Sequence, residues 1–172
     1  IAPGYLADFA VVDNLEQFQV QMVFKKGKLW YGDGYFREMP LPAIDPWLVE
    51  RAHDTFQVRT LAVDDFRDRR RRGVLGLVPG EILTTDNGYA DHVDLAQDIL
   101  KLAVVERHKG TGHIGLGYLQ GYGLRAGAVA TSISHDSHNI IAVGTNSADM
   151  ALAVNRVVEN RGGIVVAQGG QV

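Results

Sequence analysis

The chain contains no cysteine, which removes disulfides, thiolate metal sites and a cysteine nucleophile from consideration. A reducing compartment is compatible with that lack, and a cytoplasmic location is the expectation. Positive charge is not in excess either. Seventeen Lys and Arg stand against 20 Asp and Glu, for a formal net charge of −3. No overall field therefore draws the chain to nucleic acid or to an anionic membrane. No apolar run approaches the length of a membrane span, and no basic-then-apolar segment opens the sequence. Several signature loops are missing too. Gly110, Gly112 and Gly115 spell G-x-G-x-x-G, but a strand rather than a helix is expected after them, so the dinucleotide-binding context is missing; there is neither a Walker A loop nor a G-x-S-x-G elbow. The H-x-E with P-C-x-x-C arrangement of the small zinc deaminases is also lacking.

What is present suits a folded protein. Hydrophobic residues make up 46% of 172, and 20 glycines imply many tight turns. The text opens at Ile1 within a turn and stops after "GIVVAQGGQV", so the expectation is a piece of a longer protein. Pro3-Gly4 precedes a short strand over 8–12. Phe18, Val20, Met22 and Phe24 alternate with polar or small neighbours, and Lys26-Gly27-Lys28 supplies a hairpin turn to a strand around 29–31. "REMPLPAIDPW" ends that region, because proline donates no ladder hydrogen bond. Pro46 begins a short helix, and strands are expected at 57–63, 74–78, "ILTTD", "DILKLAVVERH", "GHIGLGYLQGYG", "AGAVATSIS", "NIIAVGT" and a buried "GIVVA". The best helix covers 147–161, with Asn146 as N-cap, Asp149 at N3 and Gly162 at the left-handed C′ position. The predicted class is α+β, with an antiparallel region over 1–42 and a mixed-sheet region with few helices over 43–172.

The densest cluster of polar chemistry is "SHDSHNI", residues 134–140. On a flat strand His135 and His138 point to opposite faces; in a turn they can converge on one cation, with Asp136 as ligand or as orienter of a ring. The plain alternative is a polar turn. The small residues of 126–134 permit close approach of another surface, which favours a site. "ERHKGTGH" offers Glu106 and Arg107, either as a solvated tip or as a pair aimed at a ligand. "RDRRRRG" lacks interleaved aromatics and reads as a solvated loop.

Two resemblances then enter. "IAPGYLADFAVVDN…VQMVFKKGKLWY" resembles the end of the composite sheet domain of the amidohydrolase superfamily, through its G-x-x-A-D turn and V-x-x-x-G-K hairpin. From "DILKLAVVERH" to "NRGGIVV" the chain is similar to the C-terminal domain of bacterial adenine deaminase, above all in "SHDSHNI", "G-T-N-x-x-D-M" and "N-R-G-G-I-V-V". That resemblance implies hydrolysis of adenine to hypoxanthine and ammonia by a water activated at a divalent metal, manganese or iron. This chain has no H-x-H pair and no barrel pattern, so the principal centre is expected in a preceding barrel of the same enzyme, and the chain alone is expected to be inactive. The resemblance leaves His135, Asp136 and Asn139 as supporting catalytic residues, and His135 and His138 as ligands of a supplementary metal. Adenine, the rest of the enzyme and a second copy are the expected partners; nucleic acid and membrane are not. The alternative is a supporting or oligomerisation module of another amidohydrolase, its Gly- and Ala-rich strand at 126–131 packing on a partner.

Overall fold

The computed structural model describes residues 2–38, 41–68 and 70–172. It divides into two compact units, Ile1–Asp45 and Pro46–Val172. The first is a four-stranded antiparallel meander of β1 (Phe9–Val12), β2 (Val20–Lys25), β3 (Lys28–Gly32) and β4 (Tyr35–Phe36). Its hairpin turn has positive φ at both Lys26 and Gly27, the conformation that matches strand twist in a two-residue loop. Asp8 fixes that turn by accepting the Lys26 N–H at 2.6 Å. The two recurrent sequence motifs of this region thus meet in space. Across β1 and β2 the Phe9 and Phe24 rings stack 4.8 Å apart.

The second unit opens with α1 (Pro46–His53) and a 3-10 turn (Val63–Phe66). It then forms β5 (Arg72–Leu77), β6 (Thr84–Ala90), β7 (Ile99–Val105), β8 (Ile114–Gln120), β9 (Ala128–Thr131), β10 (Ile140–Gly144), α2 (Ser147–Glu159) and β11 (Ile164–Ala167). The strands lie in the order β11-β9-β10-β7-β8-β5-β6, antiparallel throughout except for the parallel β5–β8 pair. This is the α+β, mixed-sheet class expected.

Register explains why α2 packs where it does. Ala103, Ala142, Ala130 and Val165 lie side by side on one face, and Lys101, Gly144, Ala128 and Ala167 form the next row. The alanines and Gly144 of these rows let the helix approach closely. A Cβ on Gly144 would stand 2.6 Å from the Met150 side chain. Met150, Val154 and Val157 are fully buried there, each contributing about 1.5–3 kcal/mol. The small residues Ala128 and Ala130 of β9 thus give room to the chain's own helix.

Four expectations need correction. Residues 57–62 are not a strand: Asn155 on α2 accepts the Leu61 N–H and donates to the Leu61 carbonyl, both at 2.9 Å, taking the place of a ladder. The "ILTTD" strand starts only at Thr84 and runs on to Ala90. α2 stops at Glu159, and the C′ position falls on Arg161 at φ 55°, with Gly162 following at φ 121°. The Gly162 N–H then reaches the Val157 carbonyl at 2.8 Å and the Arg161 N–H reaches Val158 at 3.0 Å, the paired bonds of a Schellman end. Finally, β11 is a half-buried edge strand, with Ile164 and Val166 exposed.

Candidate functional site

The "SHDSHNI" segment is the turn that joins β9 to β10. Ser134 is buried, its Oγ is 3.3 Å from that of Ser137, and its carbonyl accepts the His138 N–H at 3.0 Å. Asp136 and His138 both take positive φ, 64° and 50°, a conformation that costs a non-glycine residue on the order of 1–2 kcal/mol. Neighbouring elements hold the turn in place. The Arg107 Nε donates to the His138 carbonyl, and its Nη1 donates to the Thr55 carbonyl and hydroxyl at 2.9 and 2.8 Å. The same guanidinium lies 4.3 Å from the centre of the Phe56 ring. Burial among these groups pushes its pKa below the ordinary arginine value. His108 Nε2 adds a contact of 3.0 Å to the Ser137 carbonyl.

The ionisable side chains of the turn face solvent. His135 Nδ1 and Asp136 Oδ1 are 2.9 Å apart, with the two side chains 97% and 89% exposed. His138 is exposed as well, while Asn139 is half-buried, its Oδ1 enclosed without a hydrogen-bond partner. The structure thus pairs His135 with Asp136. Among the described residues, no group of three or more His, Asp or Glu side chains is placed to hold a metal ion.

Glu106 and Arg107 are occupied separately. Glu106 accepts N–H groups from His108, Lys109 and Thr111 and the Thr111 hydroxyl. Burial opposes its ionisation, but these donors prevail and hold the carboxyl at a pKa of about 2. It is a clasp for the loop. Of the arginine run, Arg69 lies outside the described residues, Arg67 pairs with Asp64 at 2.9 Å, Arg71 lies over Tyr89, and Arg72 opens β5.

Sequence reasoning missed a second cluster. A cleft of about 530 Å³ is lined by Arg67, Asp68, Asp91, His92, Lys101, Tyr118 and residues 145–147 at the start of α2. Lys101 and Asp68 form an ion pair at its wall, with side chains only 11% and 7% exposed. Burial and the carboxylates of Asp68 and Asp91 push the Tyr118 phenol well above its ordinary pKa. The signal was available: Lys101 stands on the same face of β7 as Ala103 and Val105, where a charge requires a partner. Its partner was hidden in the arginine run, 33 residues earlier. Beside the cleft, the Asn146 side chain accepts the Asp149 N–H at 2.8 Å as the expected cap. Asp149 does more than sit at N3. Buried itself, it accepts a bond from Asn146 at 2.8 Å and the N–H groups of Gly169 and Gly170 at 3.2 and 3.1 Å. The Asn146 bond first, then those of Gly170 and Gly169, outweigh desolvation and hold its carboxyl below the usual range.

Fold and clusters together define an α+β chain whose polar residues gather at one strand-joining turn and one helix start. The chain belongs to the adenine deaminase C-terminal domain family, whose sequence model matches residues 80–172. The whole chain is similar to the adenine deaminase of Dehalococcoides mccartyi, at 39% identity over 181 residues and 31% of that protein's length. It is similar to the adenine deaminase of Nitratidesulfovibrio vulgaris at 42% over 186 residues, and to adenine deaminase 1 of Rhizobium meliloti at 38% over 182, each again across the whole chain and 31% of the relative. The chain therefore spans about a third of the length of the curated relatives it matches. Among the described residues no helix is long and apolar enough to cross a membrane.

Proposed function

We propose that the longer protein containing this chain hydrolyses adenine to hypoxanthine and ammonia. The observation that carries this reading is identity of 38–42% along the entire chain to proteins named adenine deaminase. A divalent metal, manganese or iron, would supply the activated water from a centre in the rest of that protein. The contribution of this chain is the turn at 134–139. His135, Asp136 and Asn139 support the reaction from the substrate side, and any cation at His135 and His138 takes its other ligands from water or from the remaining polypeptide. The support for this is physical: a turn that holds left-handed backbone at two non-glycine residues, clamped by Arg107, presents its ionisable groups outward. The 172-residue chain alone leaves adenine unchanged.

The test uses the longer protein, supplied with manganese or iron, and follows adenine conversion by absorbance. Failure to form hypoxanthine with either metal overturns the deaminase reading. His135→Ala with His138→Ala in the same protein is expected to lower kcat/KM at least tenfold without changing the melting temperature. Wild-type kcat/KM and metal content in that variant would remove the turn from the site and leave the reaction standing.

A further inference from the structure

The sheet of the second unit has two unlike faces. One, built mainly of alanines with Gly144, Val165 and the paired Lys101, lies under α2. The opposite face follows from the same register: Leu102, Val143, Val129 and Val166 form one row, and Val104, Ile141, Thr131 and Ile164 the next. Across β8 and β5 it continues through Leu119 and Leu75. No charged residue interrupts it until Asp86 on the edge strand β6. Leu75, Val166 and Ile164 are 43%, 59% and 64% exposed. A depression of about 330 Å³ lies among Leu75, Leu102, Val104, Leu119, Ile141 and Val143.

We propose that this apolar face is the docking surface for another part of the same longer polypeptide. The inference rests on the reading that the chain is one part of a protein about three times its length. Area selects the occupant. Six strands spaced by about 4.8 Å, each some five residues long at about 3.3 Å per residue, give a footprint of at most about 450 Å², since Val143 and Leu119 are already buried in a cluster against which Val93 and Leu124 pack. Two such faces from separate copies would bury roughly 900 Å² in all, short of the ~1,200 Å² at which stable complexes begin. A segment of the same polypeptide loses no translational freedom on docking, and contacts between domains of one chain start at roughly 600 Å². The covering segment presents aliphatic or aromatic side chains, since a charged one would be desolvated against the face without a partner.

Because the chain has no cysteine, single thiols report on the face. Leu75→Cys, Val104→Cys and Ile141→Cys are prepared in both the 172-residue chain and the longer protein, with Glu159→Cys on the exposed side of α2 as control. Alkylation is read by mass spectrometry of the labelled peptide. The expected result is labelling at 75, 104 and 141 at least tenfold slower in the longer protein, with equal rates at 159. Equal rates at all positions overturn the proposal. So does protection already present in the 172-residue chain: concentration-dependent protection assigns the face to a second copy, and concentration-independent protection to residues of this chain. None of these readings involves adenine turnover, so the docking face and the deaminase reading fail separately.

Discussion

Two acid–base pairs in this chain invite opposite readings from sequence and from structure. His135 and Asp136 are adjacent in the chain and almost wholly exposed, whereas Asp68 and Lys101 are 33 residues apart and enclosed. Density along the chain drew attention to the first pair. Burial gives the second its energetic weight, because two charges removed from water depend on each other. Lys101→Met leaves the Asp68 carboxylate enclosed and uncompensated, and is expected to lower unfolding free energy by about 3–5 kcal/mol in denaturant titrations. Adding Asp68→Leu to that variant should recover most of the loss. A single substitution with no more effect than one at the surface would erase the contrast between the pairs.

Asp149 sharpens the comparison from the side of hydrogen bonding. It is buried like Asp68, but its partners are an amide side chain and two backbone N–H groups rather than a cation. Asp149→Ala strands the Gly169 and Gly170 donors and is expected to cost about 2–3 kcal/mol, with increased hydrogen exchange at 168–171. Arg107→Lys should cost less, about 1–2 kcal/mol, since lysine keeps the charge but cannot span Thr55 and the His138 carbonyl at once.

These contrasts show which parts of the fold were legible in advance. Alternation in β2, the Lys26-Gly27 turn and the capped, striped helix α2 are local patterns, and local pattern located them. The helix end was misplaced by two residues because Arg161 accepted the φ of 55° at C′ that glycine was expected to take, while Gly162 is needed one residue later, where φ is 121° and a Cβ would stand 3.1 Å from Ser132 Oγ. Residues 57–62 looked like a strand because their apolar side chains do enter the core, but their backbone partner is a helix side chain that periodicity does not reveal. Two of the three segments most typical of the family form one structural run around α2, in which Gly144 gives room to Met150, Asn146 caps the helix and Asp149 clasps the last turn. Conspicuous motif and stable packing coincide there. The candidate site was only half legible: the turn was found, but the cleft at Asp68 and Lys101 joins residues that no spacing rule connects.

Glu106 carries the comparison into pH. Its folded pKa of about 2 lies below the ordinary glutamate value, so its hydrogen bonds to the 108–111 loop stabilise the fold at neutral pH. That contribution is lost as pH falls from about 4.5 toward 2, while Glu106→Gln should flatten this part of the stability profile. The smallest effect belongs to the exposed pair. His135→Ala and Asp136→Ala remove polar groups that water already solvates, and should move the melting temperature by no more than about 1–2 °C. Asp136 also occupies a left-handed backbone, so Asp136→Gly separates backbone strain from side-chain chemistry: relief at φ 64° should raise the melting temperature slightly. If Asp136→Gly stabilises the turn yet lowers turnover in the longer protein, the strain is retained for the carboxylate. If it stabilises the turn and leaves turnover intact, the pair is surface chemistry, and the buried pair is where this chain commits its charge.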